Sequence, residues 1–219
     1  MKKQLLISVL VLAALSRTSA GVYFYTGAPY GIPDGNPVGV WSSVSVSGVA
    51  ASPAHVSVTL DLSGGYNGDL YACLIYGNRA VPLLNRAGVS GIDPFGCNGA
   101  GMNVTFSDIT AINIHAAGNG YLSGNYRPDG QDVSPTSSPA SFSATGGSIT
   151  LDGTFGGLDP NGVWTLFLAD VVSSAGMSTL NGWSLNLTAV PEPDVSVVAL
   201  APAVACAWWS HRKFSRCRE

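Results

Sequence analysis

Charge is scarce along this chain: only 11% of its 219 residues are Asp, Glu, Lys or Arg. From Gly21 to Ala189 glutamate is absent. Arg79, Arg86 and Arg127 are the basic residues of that span, against ten aspartates, for a net charge of −7. Without a basic patch to neutralise phosphates, the span does not suit nucleic-acid binding. Histidine is equally thin, with His55 and His115 in the same span. Neither sits in a Gly-x-Ser-x-Gly or comparable nucleophile context, so no Ser-His-Asp triad is read. Histidines and cysteines are nowhere clustered at zinc-ligand spacing. There is no Gly-rich phosphate loop between a strand and a helix and no EF-hand spacing. Nothing singles out a carboxylate pair of the glycosidase kind, and no repeat recurs at a fixed period. Few charges beside 27 glycines argue against a long-helix protein and suit a turn-rich β protein.

Strand patterns fill the middle of the chain. Val56, Val58, Leu60 and Leu62 alternate with polar residues, which predicts a half-buried strand over His55–Leu62. Gly64-Gly65-Tyr66-Asn67-Gly68 reads as a turn, and Leu70–Tyr76 as the returning strand of a hairpin. Val40–Gly48 and Val104–Phe106 are further strands, Ile109–Ile114 a short one, and Ser148–Leu151 a brief extended piece. Gly118–Gly130 and the Ser/Pro-rich Asp132–Ala144 read as loops. The densest stretch, Asp159–Leu187, holds the strand patterns Val163–Leu168 and Trp183–Leu187, with turn chemistry at Gly176 and Asn181-Gly182. Trp164 and Trp183 are large enough to anchor a core between two sheets.

The two ends differ in character. Lys2 and Lys3, an apolar run from Leu5 to Leu15, and Thr18-Ser19-Ala20 form a secretory leader expected to be cleaved after Ala20. At the other end Val190-Pro191-Glu192-Pro193 precedes an apolar run, Val195–Trp209, followed by His211-Arg212-Lys213 and more arginines. A run of fifteen residues, interrupted by Pro202, is marginal for a membrane span; Trp208, Trp209 and the basic tail suit an interface and a cytoplasmic end. An exported location permits a disulfide between Cys73 and Cys97, while two free small apolar thiols is the alternative.

Pro191, Glu192 and Pro193, the apolar run and the basic end with Arg212 and Lys213 together resemble the PEP-CTERM sorting signal. The resemblance implies transient membrane retention, recognition by an exosortase-type enzyme, and delivery to the cell surface or an extracellular matrix. Gly162–Leu166, Asp170, Gly176 and Leu180–Leu185 resemble the closing motif of the P domain (P/Homo B) that follows the catalytic domain of subtilisin-like proprotein convertases. Ile32-Pro33-Asp34, Val44–Gly48, Val56–Leu62 with Gly68-Asp69-Leu70, Leu83–Arg86, Phe106–Asp108 and Gly124–Gly130 match in order, so the likeness covers roughly residues 30–188.

These readings predict an all-β chain with a jelly-roll-like β-sandwich and a short C-terminal hydrophobic helix. Residues 1–20 are the leader, 21–189 the sandwich and 190–219 the sorting tail. The expected function is non-catalytic: a structural or adhesive component of the envelope or exopolysaccharide matrix. A carbohydrate-binding module is the first alternative, marked by an exposed row among Trp41, Tyr66, Tyr71, Tyr121 and Tyr126. An accessory domain for a subtilisin-like protease is the second, marked by a broad apolar patch. Asp34, Asp69, Asp159 and Asp170 fall at loop or strand ends, where oxygen ligands from several loops could meet around calcium. Turn and backbone-capping duty is the simpler reading of each.

Overall fold

A computed structural model describes residues 20–25, 28–173 and 176–189. Over 20–189 the chain forms two packed β-sheets. The expected leader before Ala20, the C-terminal helix and the sorting motif at Pro191, Glu192, Pro193, Arg212 and Lys213 lie outside the described residues.

Ten strands follow one another: β1 (Ala20–Phe24), β2 (Tyr30–Ile32), β3 (Asn36–Val46), β4 (Pro53–Gly64), β5 (Leu70–Tyr76), β6 (Arg79–Asn85), β7 (Met102–Phe106), β8 (Leu122–Tyr126), β9 (Gly162–Asp170) and β10 (Ser178–Ala189). The larger sheet runs β1-β10-β4-β7-β8, with β2 sharing the edge of β10 that β1 occupies; the smaller runs β3-β9-β5-β6. The chain passes repeatedly between the two, as in a jelly roll, with one departure: β7 and β8 run parallel.

Alternation drives this arrangement. Val56, Val58, Leu60 and Leu62 of β4 are all buried, as are Leu180, Trp183, Leu185 and Leu187 of β10 beside them. From the smaller sheet Trp164, Leu166 and Leu168 of β9 and Leu70, Ala72 and Leu74 of β5 face them. Inward apolar and outward polar positions therefore interleave two sheet faces into one core. Trp164 is sealed in it, stacked on Tyr76 at 4.3 Å and meeting Phe155 edge-on at 5.0 Å, with its indole N–H donated to the Pro160 carbonyl. The closing strands are central, β9 between β3 and β5 and β10 between β1 and β4.

Five expectations change. β4 and β5 are not a hairpin: they lie in different sheets, and a one-turn 3-10 helix at Asn67–Asp69 carries the chain across. Ile109–Ile114 forms no strand, and Ile109 and Ile112 are exposed. The expected loop Gly118–Gly130 contains β8, an edge strand whose Ser123, Gly124 and Asn125 face solvent and so show no apolar alternation. Ser148–Leu151 pairs in no strand: Thr150 is extended, and Leu151 already belongs to a helix. Leu151–Phe155 is a short helix, α1, whose first turn is capped by the Thr150 hydroxyl accepting from the Gly153 amide. Asn181-Gly182 is no turn but a bulge inside β10, where the register to β4 slips; Asn181 instead donates to Asp61 and accepts from Ser63.

Candidate functional site

Four connections meet at one end of the sandwich. The β2–β3 turn carries Asp34 and Gly35, the 3-10 turn carries Asn67 and Asp69, the 86–101 connection begins with Arg86, and the segment after β9 begins at Asp170. Their contacts are backbone-close. The Val171 amide donates to the Asp69 carbonyl, Asn67 donates its amide to Gly99, and Gly68 donates to Cys97. A Cβ on Gly35 would lie 2.7 Å from that of Ser173, so glycine allows this approach of the β2–β3 turn to the segment after β9.

This end concentrates the buried charges. Asp69, Arg86 and Asp170 are all buried. Burial lifts the Asp170 carboxyl most, and the neighbouring charges of Asp69 and Asp34 add to it. The Val172 and Gly35 amides pull the other way, and the balance is a pKa pushed up to about 6. Arg86 holds a left-handed backbone, φ 53°, rare for a non-glycine residue. Its amide donates to the Leu70 carbonyl and its Nε to Gly68, which fixes the turn beside Asp69. Desolvation draws its pKa down while the charge of Asp69 opposes that.

Three of the four aspartates expected to converge therefore do so. Asp159 does not: it lies just before β9, at the strand end opposite Asp170, where its carboxylate accepts from the Asn161 amide and side chain. Its neighbour Tyr76 donates to the Asp159 carbonyl. Among the described residues no group of three or more His, Cys, Asp or Glu side chains could hold a metal ion. Asp170 is turned instead toward the amide of Val172, as capping duty requires. The donor set does not fit a calcium site.

Cys73 and Cys97 are both buried and free. Cys73 Sγ lies against the Leu74 carbonyl on β5, whereas Cys97 Sγ donates to the Gly118 carbonyl at 3.1 Å. Burial pushes the Cys73 thiol up to about 11, the range of an unreactive thiol.

Both histidines of the sandwich are engaged by carboxylates. His55 Nδ1 lies 2.8 Å from Asp152 Oδ2, and Asp152 Oδ1 accepts from the Val56 amide. His115 is sealed in the interior, with Nδ1 2.6 Å from Asp129 Oδ2 and Nε2 2.7 Å from the Val89 carbonyl. Among the described residues no serine, threonine or cysteine side chain hydrogen-bonds either ring. Asp108 caps α1 from a distance, Oδ2 accepting from the Asp152 amide at 2.6 Å and Oδ1 from Leu151. The sequence reading missed Asp152, and it placed Arg86 and Asp129 in motif matches without giving either a role. A His/Asp count could have flagged the pairs, but the separations in sequence, 97 residues for His55–Asp152, carry no local signal.

The aromatic residues divide. Trp41 is 61% exposed on the outer face of the smaller sheet. It leans on Phe167 at 4.6 Å, and Tyr71 meets the same ring at 6.0 Å. Beside them the Ser43 and Thr165 hydroxyls bond to each other at 3.0 Å. Tyr121 is exposed elsewhere, ahead of β8, and Tyr66, Tyr71 and Tyr126 are half-buried. The five do not form one row.

No protein-family model matches the chain, and no curated protein does. Among solved structures, the serine protease of Aeromonas sobria is similar at 16% identity and a TM-score of 0.41, over 80% of this chain and 28% of the protease. The structure of that protease with a chaperone gives 16% and 0.40, over 79% and 27%. The chain thus spans under a third of these proteins' length, and a likeness this distant assigns no activity. The class the coordinates define is an all-β sandwich. Among the described residues no helix is long and apolar enough to cross a membrane.

Proposed function

We propose that the chain is an exported, non-catalytic β-sandwich, sorted to the cell surface by an exosortase-type enzyme and acting as a structural or adhesive component of the envelope or exopolysaccharide matrix. The carrying observation is a junction: β10 ends at Ala189, and Pro191-Glu192-Pro193, the apolar run and the basic end follow at once. A processing enzyme that cuts at that triplet leaves the last strand whole. A non-catalytic role draws support from the other side of each ring: among the described residues no serine, threonine or cysteine side chain hydrogen-bonds His55 or His115. The P-domain reading draws support from two motif aspartates. Asp69 and Asp170, a hundred residues apart, are brought side by side where Leu70 pairs with Asp170.

The test is the intact mass and location of the native protein in its own host. A released species ending near Pro191 supports sorting; a full-length chain held in the membrane fraction overturns it. Trp41 favours glycan contact as a second reading, since an exposed indole flanked by hydroxyls and without charged neighbours on β3 suits a neutral sugar face. Trp41→Ala should abolish retention on the host's own exopolysaccharide if that reading holds, and leave it unchanged if not.

A further inference from the structure

The strongest unassigned feature is the interior pair His115–Asp129. Both side chains are fully buried. His115 is the middle residue of a one-turn helix, Ile114–Ala116, held by the Asn113 side chain accepting from the His115 amide. Asp129 is fixed on every side. Its amide donates to the Leu83 carbonyl of β6, its carbonyl accepts from Gly147, and its Oδ1 accepts from the Gln131 amide. The Val89 carbonyl, which meets the other ring nitrogen, belongs to the 86–101 connection. That connection has apolar residues at its tip: Ile92 is 98% exposed and Phe95 72%.

A carbonyl oxygen only accepts, so Nε2 donates to Val89. One proton then lies between Nδ1 and Asp129 Oδ2, and on the ring it makes an imidazolium whose charge Asp129 balances. Burial alone would drive that charge off. The hydrogen bond and charge of Asp129, with the carbonyls of Val89 and Asn85, outweigh burial and raise the His115 pKa above the usual 6.5. Few other charges face the ring. Phe142 stacks on it at 6.2 Å, and Arg86 lies over Phe142, 5.8 Å from its centroid, with its own charge answered by Asp69. Tyr71 stays a neutral phenol, its pKa raised chiefly by burial, with the charges of Asp129 and Asp132 adding to it.

We propose that His115 is a pH-operated latch: as imidazolium it ties the Val89 carbonyl to the Asp129 carboxylate and holds residues 87–97 on the sandwich, and on losing a proton it releases them with Ile92 and Phe95. The neutral ring has one N–H for two oxygens, so one nitrogen lone pair must face an oxygen in a site closed to water. Asp129 is pinned by its backbone to β6, so the contact that opens is the one to Val89. The remaining anchors of the segment are the bonds Val89 to Arg86, Ser90 to Asp93, Cys97 to Ala87 and Gly68 to Cys97, the Cys97 thiol on the Gly118 carbonyl, and the buried side chains of Ala87, Val89 and Cys97.

Two measurements on the full-length protein decide it. Nitrogen NMR of the His115 ring should show both nitrogens protonated at pH 6 and a titration above 6.5. Hydrogen exchange, corrected for intrinsic rate, should show residues 87–97 losing protection by about tenfold or more through that titration while β4 and β10 keep theirs. Asp129→Asn should move the release to lower pH. A singly protonated ring at pH 6, or protection of 87–97 that stays flat through the titration, overturns the latch. The wild-type data decide alone if the variant does not fold.

Discussion

Trp183 Nε1 donates to the Ser42 hydroxyl at 2.7 Å, and the bond joins the two sheets: Trp183 is on β10 and Ser42 on β3. Both residues are buried. A polar tie between sheets fixes their stagger in a way apolar contact does not, since a slip of one residue would strand an indole N–H and a hydroxyl away from water.

Trp183→Phe leaves the Ser42 hydroxyl without its donor and opens space at the same point. Its expected cost is about 2–4 kcal/mol, the lost ring volume adding to the unpaired group. Ser42→Ala should cost about 1–3 kcal/mol by orphaning the indole N–H. Denaturant unfolding of both variants and the double mutant checks this. A double mutant no worse than Trp183→Phe shows that the two residues act as one unit.

Asp108 holds the start of α1 although it lies 43 residues before it, accepting from the Leu151 and Asp152 amides. Asp152 in turn holds His55 and the Val56 amide of β4. Asp108→Ala removes two acceptors from a helix of one and a half turns that has few others. The expected loss is about 2–4 kcal/mol, read by urea unfolding with an unchanged slope. A loss under about 0.5 kcal/mol would mean that Thr150 alone caps the helix.

Much of the core was legible because it obeys period two. The inward residues of β4, β9 and β10 alternate along the chain, and Trp164 and Trp183 are where their size predicts. What failed to read was set by partners distant in sequence. β8 is an edge strand with exposed residues at its centre, so its pairing to β7 leaves no apolar trace. Asn181-Gly182 has turn chemistry, but the long pairing of β10 with β4 overrides it and turns it into a bulge. Asp34, Asp69 and Asp170 could be chosen from their positions at strand ends, and Asp159, chosen by the same rule, falls at the opposite end of β9. Position within a strand says where an aspartate stops the strand, not which end of the sandwich it serves. The His115 site is illegible for a further reason: its ring contacts come from Val89, in no motif, and from Asp129, which lies in the Gly124–Gly130 match without a partner named for it.

Gly65 and Gly48 both have left-handed backbones, φ 63° and 74°. A Cβ at Gly65 would also lie 1.9 Å from the buried Ser178 Oγ, whereas one at Gly48 meets nothing within 4 Å. Gly48→Ala should therefore cost about 1–2 kcal/mol, the left-handed term alone. Gly65→Ala should cost about 2–5 kcal/mol, because displacing the buried Ser178 side chain adds to it. Thermal midpoints of the two variants separate conformational strain from steric displacement; equal costs would show that Ser178 gives way freely.

Asp170 predicts the direction in which stability moves with pH. Its carboxyl titrates near 6 in the fold against 3.8 ordinarily, so the folded chain holds this proton more tightly than the unfolded one. Such a group weakens the fold as pH rises from about 4 to 6 and holds that penalty above 6. His115, raised above 6.5, acts in the same sense at higher pH: its contribution is complete below 6.5 and fades as pH climbs through its folded value. The thermal midpoint should therefore be highest on the acidic side of neutrality and fall through pH 7 to 9. Asp170→Asn keeps an acceptor for the Val172 amide and removes the charge that Asp69 and Asp34 repel. It should raise stability at pH 7 by about 1–3 kcal/mol and flatten the fall between pH 4 and 6, with the part assigned to His115 intact. If Asp170→Asn is instead less stable at pH 7, the carboxylate is stabilised by a positive partner at this end of the sandwich, and burial with the added charges of Asp69 and Asp34 is not what sets its pKa.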